Sequence, residues 1–250
     1  MGEALRRKAA PTAAAAASEA LLDVRDLQGW YGESHVLQGV SFAVPKGEVV
    51  TLLGRNGAGK TTTLKAIMGV LERRTGSVRF EEVETIALPA RKIARAGIAW
   101  CPEERGIFAS LDVEENLLLP PVIRPGGLGL EAIFELFPNL KERLRSPGTK
   151  LSGGEQQMLA IGRILRTGAT LLLLDEPTEG LAPVIVQQIG RTIEKLKALG
   201  FTIILVEQNF HFAATVADRH YVVEQGRVVD TIQNSELAHN MDKLHAYLGV

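Results

Sequence analysis

The chain has 250 residues, of which 46% are hydrophobic and 23% charged, a length and composition that favour one globular domain, or one domain with a subdomain. Its 28 basic and 29 acidic residues leave a formal net charge of -1, which provides no positive field for nucleic acid or anionic lipid. No apolar run approaches the roughly 20 residues that cross a bilayer, so any membrane role depends on docking to other proteins.

The first 20 residues place three basic residues ahead of a short alanine run, which resembles a signal peptide only weakly. The alanines are barely hydrophobic, and Pro11 and Glu19 lie among the polar residues that flank them. We therefore predict a disordered tail over residues 1–20.

The cysteine and histidine residues give little indication of a disulfide or a metal site. Cys101 is the only cysteine, which excludes an intrachain disulfide, favours a reducing compartment and fits a small buried hydrophobe. The five histidines are scattered without ligand spacing, so we expect no transition-metal site.

The globular part opens with β-rich segments and continues as alternating strands and helices. Such alternation predicts an α/β fold with a largely parallel central sheet covered on both faces, preceded by an antiparallel β portion. The predicted strands are residues 21–27, 35–44, 48–53, 98–100, 170–174, 202–206 and 219–223, and the predicted helices are residues 61–71, 153–165 and 183–199.

Residues between Cys101 and Leu151 change to short helical stretches joined by the Pro/Gly-rich segment PPVIRPGGLG. We predict a helical subdomain over about residues 104–161, inserted into a domain that spans residues 21–250.

The sequence GRNGAGKTT, residues 54–62, fits the pattern G-x-x-x-x-G-K-[ST] between a strand and a helix. Backbone N–H groups of such a loop surround nucleotide phosphates at the positive end of the helix dipole. Lys60 would reach the β- and γ-phosphates, and Thr61 would offer its hydroxyl to Mg²⁺. The predicted ATP-binding residues here are Gly54, Arg55, Asn56, Gly57, Ala58, Gly59, Lys60, Thr61 and Thr62.

The apolar run LLLL ends at the adjacent acids Asp175 and Glu176. An acid at the end of a strand beside a phosphate loop is how P-loop ATPases hold magnesium, which we assign to Asp175. Glu176, one residue on, should face the other way, because successive extended residues point to opposite sides, and there it suits a base that polarises the attacking water. A solvated turn is the alternative.

The sequence LSGGEQQ, residues 151–157, predicts a second anion-binding helix start, with Ser152 as the N-cap and Gly153 and Gly154 allowing close backbone approach. A second γ-phosphate site in one chain suggests that it serves another molecule.

GRNGAGKTT, LSGGEQQ and LLLLDEP, in this order, resemble the nucleotide-binding subunit of ATP-binding cassette (ABC) transporters over about residues 21–250. The resemblance implies a P-loop NTPase (RecA-like) core. It also implies two cassettes stacked head to tail, with each ATP between the phosphate loop of one and the LSGGE of the other. By the same resemblance Tyr31 would stack on adenine, with Trp30 as the less favoured candidate and a core position as the alternative for Tyr31.

Three positions depart from the general family pattern. Glu103 stands where a glutamine usually touches magnesium and the transport subunit, and its carboxylate could still interact with the ion. Gln208 replaces the usual switch histidine; its amide can donate the same hydrogen bond but cannot become charged. His211, one helical turn on, is a less favoured substitute. Ala182 stands where an aspartate is common, so communication across the dimer through that loop is not implied.

Together with PEER, EGLAP and LVEQN, these traits resemble the smaller ATPase subunit of high-affinity branched-chain amino acid importers, and related urea and short-chain amide importers share nearly all of them. The resemblance implies a heterodimer with a second ATPase subunit (a homodimer is the alternative), two membrane permeases and an extracytoplasmic solute-binding protein. The chain would then lie at the cytoplasmic face of the inner membrane, with the inserted helices and the Glu103 loop against the permeases.

Two other classes remain as alternatives. An exporter ATPase, such as those that move lipids or lipopolysaccharide, has a similar core, because one core serves many substrates. An ABC ATPase of DNA repair or ribosomes would need a long coiled-coil insertion or two cassettes in one chain. The sequence contains one cassette with a short insertion.

Overall fold

The computed structural model describes residues 20–248, so the tail predicted at residues 1–20 lies outside the described residues except for Ala20, which begins the first strand. A four-stranded antiparallel sheet, which we call the front sheet, has the order β2-β1-β4-β5. Its strands are β1 (Ala20–Tyr31), β2 (Ser34–Pro45), β4 (Arg73–Phe80) and β5 (Val83–Glu84). This sheet confirms the predicted antiparallel β portion.

A six-stranded central sheet has the order β10-β9-β3-β8-β7-β6 and is parallel except for the β9-β10 pair. The α/β fold with a largely parallel sheet is therefore confirmed. The strands are β3 (Val49–Leu53), β6 (Ile98–Cys101), β7 (Leu171–Asp175), β8 (Thr202–Glu207), β9 (Arg219–Glu224) and β10 (Arg227–Gln233).

Both faces of the central sheet are buried in apolar cores. Leu171 and Leu173 of β7 pack in the core shared with the front sheet, whereas Leu172 and Leu174 pack in the core shared with the helical insertion. The alternation of side chains along a strand thus explains why β7 is apolar at every position from 171 to 174. Cys101 is buried in the second of these cores, as predicted.

Helices cover the sheet. Four of them, α3 to α6, lie in the chain between β6 and β7, and the division into a separate subdomain at residues 104–161 stays a prediction. The helices are α1 (Lys60–Ile67), α2 (Ala90–Ala96), α3 (Val113–Leu118), α4 (Leu130–Leu136), α5 (Pro138–Glu142), α6 (Gly153–Leu165), α7 (Pro183–Ala198), α8 (Phe210–Val216) and α9 (Met241–Leu248).

The first predicted helix, residues 61–71, was wrong at its end. α1 stops at Ile67, because the chain turns at Gly69, whose φ of 71° is left-handed. Within residues 20–248, no helix is both long enough and apolar enough to cross a membrane.

Candidate phosphate-binding and hydrolysis site

The loop from Gly54 to Gly59 joins the end of β3 to the start of α1 and passes very close to β9. A Cβ atom on Gly54 would lie 2.3 Å from the Val223 carbonyl oxygen, so no larger residue fits there without movement of the backbone. Gly59, at the N-cap of α1, has a φ of 107°. Close approach and a left-handed turn therefore explain two of the three glycines that the motif predicted.

Lys60 is only 5% exposed and is held by the loop that it follows. Its Nζ donates hydrogen bonds to the carbonyl oxygens of Gly54 (2.8 Å) and Arg55 (3.2 Å). The same atom lies 3.6 Å from Glu176 Oε1, which forms an ion pair between side chains that are 4% and 9% exposed. The fold thus brings the lysine of the first motif and the second acid of the DEP motif into contact.

A cavity of about 510 Å³ opens in front of the loop. Because parallel strands end at one edge of a sheet, residues from β3, β6, β7 and β8 meet there, and the cavity therefore gathers most of the predicted site residues. The cavity is lined by Val36, Asn56, Gly57, Gly59, Lys60, Thr61, Thr62, Glu103, Glu176, Glu179 and Gln208.

Asp175, the last residue of β7, is 1% exposed and lies beside α1. Thr61 Oγ1 donates a hydrogen bond to Asp175 Oδ1 at 2.9 Å, whereas Asp175 Oδ2 is buried and has no hydrogen-bond partner among residues 20–248. Burial raises the pKa of Asp175 to about 6; the Thr61 hydrogen bond opposes the rise, and the charges of Glu176 and Glu103 add to it. A carboxylate with a buried, unpaired oxygen is chemically suited to a cation.

Glu176 is not extended, so the explanation predicted for its direction is wrong. Its φ is 45°, in the left-handed region, and β7 ends one residue earlier. Strand alternation therefore does not apply, and a turn aims the carboxylate into the cavity. Gln208 Nε2 donates a hydrogen bond to Glu176 Oε2 at 2.6 Å, which joins two residues that the sequence placed 32 positions apart.

Glu179 lines the same cavity, although the motifs did not single it out. A shared hydrogen bond with Glu176 raises the pKa of Glu179, and burial and the negative charges of Glu176 and Glu103 add to the effect. Its only sequence signal is its position in the DEPTEG turn that follows Glu176. The cavity therefore holds several carboxylates against one lysine, a charge balance that favours a bound cation.

Ser152 begins α6 as predicted, and the capping is reciprocal. Its Oγ accepts from the Glu155 N–H (3.3 Å), and Glu155 Oε2 accepts from the Ser152 N–H (2.8 Å). A Cβ on Gly154 would lie 2.9 Å from Ile185 Cγ2, so this glycine allows α6 to pack against α7. None of Ser152, Gly153 and Gly154 lines the phosphate-loop cavity of the same chain.

Tyr31 is 46% exposed and lines a second cavity, of about 390 Å³, with Lys65 of α1. Trp30 lines the same cavity, but its ring stacks on His35 at 4.4 Å and lies under the Arg73 guanidinium at 4.5 Å. Because both faces of the Trp30 ring are used in this way, Tyr31 is the better placed of the two aromatics to stack on a base. Its contact with adenine stays a prediction.

The remaining predicted positions lie beside the cavity. Arg55 and His211 line a different cavity, behind the loop, to which Asn56 and Gln208 also contribute. His211 does not line the phosphate-loop cavity, which disfavours it as a substitute for Gln208. Ala182 is the N-cap of α7 and supplies no side-chain cap, and Ala58 is buried in the loop.

Comparison with known proteins places this arrangement in a family. The family model described as "ABC transporter" matches residues 37–179, which is more than half of the chain. The high-affinity branched-chain amino acid transport ATP-binding protein BraG of Pseudomonas aeruginosa is 45% identical over 92% of this chain and 100% of its own length.

Two further comparisons extend the likeness. The lipopolysaccharide export system ATP-binding protein LptB of Escherichia coli K12 is 34% identical over 92% of this chain and 98% of its own. A crystal structure of the ADP conformation of an ATP-binding cassette of an ABC transporter has a TM-score of 0.77 and 26% identity, covering 92% of this chain and 99% of its own. The chain therefore belongs to the ABC transporter family and is an ATP-binding subunit with ATPase activity.

Proposed function

We propose that this chain is the ATPase subunit of a bacterial importer for branched-chain amino acids. The observation that carries the proposal is the 45% identity to BraG over the whole of that protein, compared with 34% to LptB. The sequence supports it independently, because EGLAP around Ala182 and VEQN around Gln208 are the traits that pointed to amino acid or amide import.

In the proposed mechanism, the backbone N–H groups of residues 54–62 bind the phosphates of ATP and Lys60 Nζ reaches the β- and γ-phosphates. A phosphate would compete with Glu176 and with the Gly54 carbonyl for the Lys60 ammonium, since that group now contacts both. Binding of ATP would thus release the Glu176 carboxylate from its ion pair. Tyr31 would stack on the adenine.

Thr61, Asp175 and Glu103 would hold Mg²⁺. The fit rests on Asp175 Oδ2, a buried oxygen without a partner, beside a threonine hydroxyl that already contacts the same carboxylate. Mg²⁺ would supply positive charge that neutralises the phosphate oxygens as the terminal bond breaks. Exposed Glu103, which lines the cavity, would complete the set.

Glu176 would accept a proton from the attacking water, and Gln208 would orient it. The Gln208 amide already donates to Glu176 Oε2, which leaves the other carboxylate oxygen for Lys60 or for water. An amide stays neutral at every physiological pH, so Gln208 can position the base without adding a charge. General-base assistance of this kind is worth about 10²–10⁴ in rate.

The chain would work with a second ATPase subunit, two membrane permeases and an extracytoplasmic solute-binding protein. Ser152, Gly153 and Gly154 would contact the ATP held by the partner ATPase, because in their own chain they lie outside the phosphate-loop cavity. ATP would close the pair and hydrolysis would reopen it, which drives the permeases between two states. The chain would lie at the cytoplasmic face of the inner membrane.

The test is uptake in the source bacterium. Deletion of this gene should abolish high-affinity uptake of radiolabelled leucine, isoleucine and valine, and a plasmid copy should restore it whereas a Glu176→Gln copy should not. Uptake of urea and acetamide by the same deletion strain is measured in parallel, as the comparison with amino acid uptake. Loss of urea or amide uptake with normal leucine uptake would assign the chain to the alternative class of importer.

A second observation locates the partners. Two permease genes, a second ATPase gene and a solute-binding protein gene beside this one would support the importer. Calorimetry of that solute-binding protein with leucine, urea and acetamide would identify the solute. An exporter operon without a solute-binding protein would contradict the proposal.

A further inference from the structure

A buried carboxylate, Glu207, lies one residue before Gln208 and outside the phosphate-loop cavity. It is the last residue of β8 and is 2% exposed. Its Oε1 accepts a hydrogen bond from Thr178 Oγ1 at 2.7 Å, and its Oε2 accepts one from the Asn209 backbone N–H at 3.3 Å. Neither Glu207 nor Thr178 lines the cavity in which hydrolysis is proposed to occur.

These hydrogen bonds join the two turns that carry the residues proposed to act on water. Thr178 lies two residues after Glu176, in the turn that ends β7, and Asn209 follows Gln208 in the turn that ends β8. The two turns are also joined at the cavity, by the Gln208 to Glu176 hydrogen bond, and along the sheet, by the Glu176 N–H and the Val206 carbonyl oxygen at 2.9 Å. Glu207 therefore forms the buried side of a bridge whose exposed side is the Glu176–Gln208 pair.

The bridge continues into α8. Asn209 is the N-cap of that helix, and its Oδ1 accepts from the Phe212 N–H at 3.1 Å. Because Glu207 holds the backbone of Asn209, it ties the start of α8 to the Thr178 turn. Burial of a charged carboxylate at this position is energetically unfavourable, and it raises the pKa of Glu207 to about 7.

From this geometry we propose that Glu207, through Thr178, is a positioning residue for ATP hydrolysis. It fixes the distance between the turns after β7 and β8, and so holds the Glu176 carboxylate and the Gln208 amide in their places at the cavity. This inference rests on the proposed role of Glu176, but it does not depend on which solute the transporter moves.

The test is Thr178→Val in the purified full-length chain, because valine keeps the size of threonine and removes the donor. We expect kcat for ATP to fall about 3- to 10-fold, in line with the loss of one hydrogen bond, with KM changed less than about twofold. Thr178→Ser, which keeps the hydroxyl, should restore most of kcat. Thr192→Val is the matched control, because Thr192 is also buried and donates to a backbone carbonyl, that of Gln188, within α7.

A double-variant cycle separates positioning from general stability. In a Glu176→Gln background, Thr178→Val should not lower the residual single-turnover rate any further, because the side chain that it positions has already been removed. A similar further loss in both backgrounds, or unchanged kcat with only a lower melting temperature, would overturn the proposal. If Thr178→Val does not fold, Glu207→Gln, which keeps the size and removes the charge, enters the same cycle.

The two levels of the proposal fail in different ways. Normal turnover by Glu176→Gln would refute the base and, with it, the positioning of the base. Loss of turnover by Glu176→Gln together with normal turnover by Thr178→Val would refute the positioning alone.

Discussion

At the scale of single residues, two adjacent acids are separated by the backbone. Asp175 is the last extended residue of β7, and its carboxylate lies beneath the cavity against Thr61. Glu176 takes a left-handed φ of 45°, and its carboxylate lines the cavity between Lys60 and Gln208. Because non-glycine residues adopt this conformation only at a cost, the surrounding contacts must hold Glu176 there.

The first residue-scale prediction concerns Glu176. Replacement by glutamine keeps the size of the side chain and a hydrogen-bonding partner for Gln208, but it removes the base. We expect ATP turnover to fall at least ~10²-fold while ATP binding is retained, so that the ATP-bound dimer accumulates. Phosphate release and gel filtration with ATP measure the two effects. Near-normal turnover would remove Glu176 from the role.

Gln208 carries the second prediction. Gln208→Ala removes the amide that donates to Glu176 Oε2 but leaves the base and Lys60 in place. The expected loss of kcat is therefore about 3- to 10-fold, smaller than for Glu176→Gln, which matches the removal of one orienting hydrogen bond. Steady-state ATPase assays at saturating ATP test this, with His211→Ala as the control, because His211 does not line the phosphate-loop cavity. A complete loss would show that the amide does more than orient the base.

At the scale of elements, apolar strands and glycine motifs were predictable, whereas charged strands were not. β7 is apolar from residue 171 to 174 and β8 from residue 203 to 206, because both faces of the sheet are covered. β4 contains three arginines, β10 contains an arginine and an aspartate, and both have several exposed positions, so they show no strong period. The contact between the turns after β7 and β8 depends on their parallel pairing, which local patterns do not encode.

The buried bridge between these turns also predicts a pH dependence of stability. The folded protein raises the pKa of Glu207 from 4.5 to about 7, so the folded state binds this proton more tightly than the unfolded state. The stability associated with this proton is fully present below pH 4.5 and is lost as the pH rises through about 7. Glu207→Gln has no such proton.

The measurement is the melting temperature of wild type and Glu207→Gln at pH 5 and pH 8. Between pH 5 and pH 8, the melting temperature of Glu207→Gln should rise relative to that of wild type, whatever the absolute stabilities of the two proteins. Other titrating groups, Asp175 among them, are present in both proteins and cancel in the difference. An unchanged difference would show that Glu207 is not the titrating group.

At the scale of the whole molecule, the two helix starts that the sequence predicts to bind anions lie in different places. α1 begins at the phosphate-loop cavity, whereas the LSGGE start of α6 lies outside it. Each chain therefore presents one phosphate loop and one separate LSGGE segment. Within the described residues 20–248, the LSGGE segment does not contribute to the cavity at the phosphate loop. This separation agrees with ATP sites that are shared between two chains. If the two halves of a site lie on different chains, variants that damage one half each can distinguish a homodimer from a heterodimer.

The distinguishing prediction uses two inactive variants. Lys60→Ala damages the phosphate loop, and Gly153→Asp places a negative charge at the LSGGE segment. A Cβ at Gly153 meets only ordinary contacts, and an acid in the first turn suits the helix dipole, so this variant should fold. If two copies of this chain stack head to tail, a mixed dimer contains one undamaged site, formed by the loop of one variant and the LSGGE segment of the other.

An equal mixture of the two variants should then recover roughly a quarter of the wild-type sites, because half of the dimers are mixed and each has one good site of two. ATPase activity of each variant alone and of the mixture, measured at the same total protein, provides the comparison. A different outcome is that the mixture of variants recovers no ATPase activity, while either variant recovers activity when the ATPase subunit encoded by the neighbouring gene is added. That result would identify the heterodimer as the working form. In a heterodimer each variant leaves a different one of the two ATP sites intact. The variant that keeps activity therefore shows which of the two sites the transporter needs.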